Sequence, residues 1–252
     1  METRHREILA RAQSQGRVQV EDLAAHFNVS AQTIRKDLNH LYDRGQLVRV
    51  HGGAEFPSGI ENVEYDARRR IAANAKAAIG RAVAKRIPDN ASLFINIGTT
   101  TESVGDALVG HRGLMVITNN INVANKLRVH RDCEVVIAGG VVRGSDGGIV
   151  GEAAVDFIRQ FKVDYAVIGT SALDEDGALL DYDFREVKVA QAIIANARHV
   201  ILAADSTKFD RSAPVRIAHL SQIDTFVTDK CTSPRVRQIC TDNDVELFET
   251  IN

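Results

Sequence analysis

Six short apolar runs, at positions 92–97, 114–118, 134–138, 164–169, 199–204 and 224–228, recur along the chain with helix-patterned segments between most of them. Runs of this length, rich in Val, Ile, Leu and Phe, read as buried strands. Strands that alternate with helices, here at 101–109, 123–129, 152–161, 186–197 and 235–243, are joined by crossovers, so they lie parallel with helices packed on the sheet. The pattern predicts a mainly parallel α/β domain over residues 63–252, opened by one helix at 68–87.

The first 57 residues follow a different rule. Ile8, Leu9 and Ala12 share one face of a helix at 4–14 that Gly16 is placed to end. An extended piece at 18–20 leads into a short helix at 21–27 that carries Leu23, Ala24 and Phe27 on its apolar side. After the turn Asn28-Val29-Ser30, with Ser30 as N-cap, a longer helix at 31–44 turns Ile34, Leu38 and Leu41 inward and stops at Gly45. Alternation over 47–51, a turn at Gly52-Gly53 and the return Ala54-Glu55-Phe56 make a β-hairpin. Three helices and a hairpin in this order form a winged helix-turn-helix, assigned to residues 1–57. Periodicity lapses over 57–62, which reads as the linker.

Charge restricts the function. The chain holds 31 Lys and Arg against 33 Asp and Glu, a formal net charge of -2, which excludes a protein that coats nucleic acid through excess positive charge. Residues 1–56 contain eight basic and seven acidic side chains, so a DNA contact there depends on placement rather than number. Cys133, Cys231 and Cys240 form no C-x-x-C pair and no metal spacing with His, which argues against a disulfide framework or a zinc site. No apolar stretch approaches the roughly 20 residues of a membrane helix, and residues 1–11 lack the apolar core of a signal peptide. The expectation is a soluble cytoplasmic protein with no membrane partner, metal or cofactor.

In a helix-turn-helix the second helix of the pair offers its first residues to base edges in the major groove. In the helix at 31–44, Ala31, Gln32, Arg35 and Lys36 face outward while Ile34 and Leu38 pack. Gln pairs in two-pronged fashion with adenine and Arg with guanine. Ser30, Thr33 and the wing residues Arg49 and His51 suit phosphate, which positions the domain without reading sequence. A helical hairpin used for protein contact would show some of the same features, with Arg35, Lys36 and Asp37 as a solvated face. The agreement of turn, spacing, wing and outward basic pair favours double-stranded DNA.

A second site is suggested where strands end. Gly98 closes a strand, and Thr99, Thr100 and Thr101 open a helix whose free N–H groups suit an anion such as phosphate. Asn119 and Asn120 follow the next strand, Gly139 and Gly140 the one after, and Lys208 lies beyond the strand ending near Asp205. Carboxyl ends of parallel strands share one edge, so these loops converge on one pocket. Singly, each has an ordinary reading: a strand-to-helix turn, a helix cap, a solvated lysine. Asp205 suits either a sugar hydroxyl or the orientation of Lys208.

The same residues resemble a known family. Thr33-Ile34-Arg35-Lys36-Asp37-Leu38, with Gly45, Leu47 and His51-Gly52-Gly53-Ala54, is similar to the DeoR family of bacterial regulators. The likeness runs on to about residue 230 through Asn96-Ile97-Gly98-Thr99-Thr100, Thr118-Asn119-Asn120, Ala138-Gly139-Gly140, Gly151-Glu152 and Asp205-Ser206-Thr207-Lys208-Phe209. It implies a sensor domain with the fold of ribose-5-phosphate isomerase and glucosamine-6-phosphate deaminase, which binds phosphorylated sugars or polyols as effectors. The resemblance would set residues 98–101 and Lys208 around the phosphate. It would also bring Asp146, Gly147, Gly148, Glu152, Asp181, Glu186 and Lys188 near the pocket. Within the family, the runs at 119–125, 143–152 and 154–161 are similar to those of members that answer to glycerol-3-phosphate, the implied effector. Fructose-1-phosphate or another small phosphate ester would suit the same general parts. The polar stretch at 180–185 departs from that likeness and is a candidate for setting ligand choice.

A repressor of this design binds operator half-sites as a symmetric homo-oligomer, dimer or tetramer, and lets go when the effector favours the DNA-incompetent state. The competing class is an enzyme, because the fold resemblance includes isomerases and deaminases that move protons with paired carboxylates. Asp174, Asp176, Asp181, Asp183 and Glu186 supply carboxylates, but Asp176-Gly177 lacks the His of the deaminase motif. Catalysis would also leave the winged helix without a purpose.

Overall fold

The computed structural model of the protein describes residues 2–15, 17–50, 52–55 and 65–250. Backbone contacts divide the chain after Ala72 into two units. The first contains α1 (Glu2–Gln15), β1 (Arg17–Gln19), α2 (Val20–Phe27), α3 (Ala31–Asp43), β2 (Val48–Val50), β3 (Gly53–Glu55) and α4 (Tyr65–Arg70). Ile8, Ala12, Leu23, Ile34, Leu38 and Leu41 form its core, with Val18 and Ala54 contributed by the strands. Ser30 caps α3, its Oγ accepting from Thr33 N at 3.2 Å. Gly45 follows α3 with a φ of 66°, a left-handed turn that costs glycine nothing. The wing has three strands rather than two. The piece expected as a connector at 18–20 is β1, one residue earlier, and it pairs antiparallel with β3 while Val20 begins α2. Gly16, His51, Phe56 and the linker at 57–62 lie outside the described residues.

The helix expected at 68–87 is two helices. α4 ends at Arg70, Ala72 takes a left-handed φ of 52°, and α5 (Ala73–Ala84) starts afresh. No Gly or Pro marks the break, which falls where the two units divide.

The second unit is built on the six anticipated strands: β4 (Ser92–Ile95), β5 (Leu114–Thr118), β6 (Cys133–Ile137), then β9 (Val163–Ile168), β12 (Ala197–Ala203) and β14 (Thr225–Thr228). β15 (Glu246–Glu249), which was not anticipated, completes a parallel sheet of order β15-β14-β12-β9-β4-β5-β6. Alternate residues point to opposite faces. Leu93, Ile95, Val167 and Ile201 pack with α5, α6 (Thr99–Ala107) and α7 (Ile121–Leu127), whereas Phe94, Ile168, Leu202 and Phe226 pack with α8 (Glu152–Ile158), α9 (Phe184–Ala195) and α10 (Pro234–Asp242). Burial on both faces explains the unbroken apolar runs. β6 is the exception: it is an edge strand, half-exposed with Glu134 and Ile137 open.

Two small antiparallel structures are additions the sequence did not announce. β7 (Val141–Val142) and β8 (Ile149–Val150) form a ribbon, and β10 (Ala172–Leu173), β11 (Ala178–Asp181) and β13 (Val215–His219) form a three-stranded sheet. No described helix is long and apolar enough to cross a membrane.

The chain runs outward from β4 to β6 on one side and from β9 to β15 on the other, so strand order reverses between β4 and β9. Open parallel sheets bind ligands in the crevice at such a switch point, beyond the strand carboxyl ends.

Candidate functional site

In the first unit the outer face of α3 presents exposed Gln32, Arg35 and Lys36, with Ala31 and Thr33 half-buried at its start. Arg35 lies 3.8 Å from the exposed carboxylate of Glu21, a loose contact that leaves its guanidinium open to solvent. The hydroxyls of Ser30 and Thr33 sit 2.9 Å apart at the helix entry. Arg49 on β2 donates to Asn39 Oδ1 at 2.5 Å and stacks on the Tyr42 ring at 4.9 Å, while Tyr42 Oη donates to Gly53 O at 2.8 Å. Asn39 and Tyr42, neither singled out from sequence, thus tie the wing to α3 and form a groove with Arg35 and Arg49. His51 is outside the described residues.

Asp37 is not part of a solvated face. It is 4% exposed and is held by Arg4 and His5 of α1. Burial pushes its carboxyl up, but the hydrogen bonds from Arg4 and His5 and the Arg4 charge outweigh this and hold it below the ordinary carboxylate value.

In the second unit the strand ends meet as the topology requires. Gly98, with a φ of 145°, precedes α6, and Thr99 to Thr101 make its first turn, whose N–H groups have no intrahelical acceptor. Thr101 is fully buried and its hydroxyl donates to Asn96 O and Gly98 O at 2.7 and 2.8 Å, so it shapes the loop and offers no hydroxyl outward. A Cβ on Gly148 would fall 3.1 Å from Ile97 Cγ1, and one on Gly169 would touch Thr101, Ile97 O and Ala203 O. The ribbon and the loops after β4, β9 and β12 therefore crowd together. Asn119 joins them through Nδ2 to Ile149 O, and Asn120 bridges to Gly148 while its Oδ1 caps α7.

Among the described residues, three buried acceptor oxygens at this edge have no hydrogen-bond partner: Asn96 Oδ1 after β4, Asn119 Oδ1 after β5 and Asp205 Oδ2 after β12. Buried polar atoms are nearly always paired in folded proteins, so three orphans at one sheet edge mark a place for donors. Cations lie close by. Lys208 and Lys76, the latter on α5, are both more than nine-tenths buried and act with Arg211 on Asp205. Burial raises that carboxyl, but these charges and the Thr207 hydrogen bond bring it below the ordinary value. Lys76 was missed in the sequence because a lysine inside an amphipathic helix reads as solvated.

Next to the ribbon, the carboxylates gather around Arg143. Its guanidinium reaches Asp146 at 2.7 Å, Glu186 at 2.5 Å and Asp183 at 3.2 Å. Asp146 also accepts from Gly148 N and supports the turn containing Gly147, whose φ is 72°. Asp181 is buried and accepts from Ser171 Oγ and Tyr182 N. Burial, reinforced by Asp181, raises Glu186 to about 8 despite Arg143. Three expected residues are not drawn in. Glu152 and Lys188 pair with each other at 2.7 Å on the surface, both more than half exposed, and Gly139 lies open beyond β6. Gly140, with a φ of 150°, lies against the ribbon, where an added Cβ would fall 3.0 Å from Ile149 Cγ2 and Val150 O. Among the described residues no group of His, Cys, Asp or Glu is arranged to hold a metal ion.

A three-stranded winged helix-turn-helix and a parallel α/β unit with a polar, cation-bearing strand edge define a DNA-binding regulator with a sensor domain. Residues 4–59 match the DeoR-like helix-turn-helix domain and residues 71–230 the DeoR C terminal sensor domain, and the chain belongs to this family. It is 45% identical over 244 residues to the glycerol-3-phosphate regulon repressor of Escherichia coli (strain K12), covering 97% of each chain. It is 47% identical over 225 residues to the Haemophilus influenzae repressor of the same name, covering 89% of this chain and 88% of that one. The chain is thus a DeoR-type transcriptional repressor. Among solved structures it is similar to ribose 5 phosphate isomerase A from Neisseria gonorrhoeae, with a TM-score of 0.39 and 14% identity over 54% of this chain and 53% of that one.

Proposed function

We propose that the protein binds operator DNA through α3 and its wing and is released by glycerol-3-phosphate held at the carboxyl edge of the sensor sheet. The observation that carries the effector reading is the pairing of opposite needs at one edge. The first turn of α6, Lys208 and Lys76 suit a phosphate, while the orphaned oxygens of Asn96, Asn119 and Asp205 suit hydroxyl donors. A phosphorylated polyol offers both, and the names of the two similar repressors point to glycerol-3-phosphate among such compounds. Gln32 and Arg35 read bases, Lys36, Ser30, Thr33 and Arg49 contact phosphates, and a homo-oligomer presents two such readers to paired half-sites. The protein works as a switch rather than an isomerase, since Arg143 grips Glu186, the carboxylate raised furthest among the described residues.

A thermal-shift series tests the site without any operator. Glycerol-3-phosphate should raise the melting temperature with concentration, whereas glycerol and inorganic phosphate at equal concentration should do so far less. A larger shift with fructose-1-phosphate would reassign the effector.

A further inference from the structure

The apolar contacts that seat α3 on α1 and α2, through Ile34, Leu38 and Leu41, are non-directional and do not by themselves single out one angle of rotation. A directional restraint is present as well. Asp37 sits on the inner side of α3, and Arg4 from the first turns of α1 grips it with two prongs, Nε at 2.6 Å and the terminal nitrogen at 3.2 Å. His5 Nε2 adds a contact at 3.0 Å, and the His5 ring lies against His40, one turn further along α3, at 5.2 Å. A buried carboxylate is costly without partners, and a forked guanidinium fixes both distance and angle.

We infer that Asp37 is a positioning residue for sequence reading: clamped by Arg4 and His5, it sets the rotation of α3 and so aims Gln32 and Arg35, while remaining buried away from the DNA surface. The lever is large. With side chains extending roughly 5–6 Å from the helix axis, a turn of about 20° moves their tips by about 2 Å, beyond the tolerance of a hydrogen bond.

The test uses the full chain, a duplex selected by the wild-type protein from a random-sequence library, and a scrambled duplex of the same composition. Asp37→Asn removes a negative charge, so an effect through charge alone would tighten binding to both duplexes. Positioning predicts the reverse for the selected duplex, a loss of about tenfold or more, with scrambled binding unchanged or slightly tighter, so that the specificity ratio collapses. Arg4→Lys keeps the charge but loses the fork, and should lower the ratio by a smaller factor in a domain that melts near the wild-type temperature. An unchanged ratio in both variants overturns the inference. So does an equal loss on both duplexes, which would mean general damage to the domain.

Discussion

Gly80 lies where α5 meets α6. A Cβ built there would sit 2.7 Å from the Ser103 carbonyl carbon, closer still to its oxygen, and 3.1 Å from Val104 N. These are backbone atoms of α6 and cannot swing aside, so Gly80→Ala must part the two helices. Overpacking of this kind costs about 1–3 kcal/mol, offset by the roughly 1 kcal/mol that alanine gains over glycine inside a helix. A net loss of up to about 2 kcal/mol corresponds to a melting temperature lower by up to about 8 °C in a chain of this size. Gly105, on α6 itself, is the control. Its added Cβ would meet only the Val123 side chain at 3.6 and 3.8 Å, so Gly105→Ala should keep most of the helix gain and raise the melting temperature by about 1–3 °C. Because α6 begins at the Gly98 loop, Gly80→Ala should also weaken glycerol-3-phosphate binding by calorimetry. If Gly80→Ala melts at or above the wild-type temperature, the close helix contact is not what holds α5 to α6 and the reasoning fails.

Further outcomes follow from single contacts. Ser30→Ala removes the α3 cap and should cost about 1 kcal/mol in melting experiments on the winged helix. Asp183 is held at about 2, chiefly by the Arg185 side chain. Its folded value lies below its unfolded one, so the stability it contributes is present above about pH 4 and fades as pH falls towards 2. Asp183→Asn should flatten the acid limb of a pH-melting curve there and leave the limb above pH 8 unchanged. Lys208→Gln should leave operator affinity intact without effector but raise the glycerol-3-phosphate concentration needed for release at least several-fold. Asn119→Ala should lower effector affinity by about 1–2 kcal/mol if its orphaned oxygen accepts a hydroxyl.

Periodicity carried most of the architecture. The sheet strands with long apolar runs were legible because both faces are buried, and α3 was legible because its cap, inward stripe and stop agree. β15 escaped because Glu246-Leu247-Phe248-Glu249 is a short, half-polar edge strand, and the ribbon because each of its strands has two residues. The loop residues after β4, β5 and β12 were legible because topology alone brings strand ends to one edge. Lys76, Asp37 and the Arg143 hub were not, because their roles come from partners distant in sequence: Asp205 for Lys76, Arg4 for Asp37, Asp183 and Glu186 for Arg143. A charged side chain gives no local sign that it is to be buried. Glu152 and Lys188 illustrate the converse, since residues near the pocket in sequence turned to each other at the surface.

The most direct test is fluorescence anisotropy of a labelled operator duplex, selected by the wild-type protein, during titration with glycerol-3-phosphate, and with glycerol and inorganic phosphate as separate arms. The account predicts release by glycerol-3-phosphate, at concentrations where neither fragment alone acts, and a marked loss of that response in Lys208→Gln. Retention of the duplex at saturating glycerol-3-phosphate would contradict it.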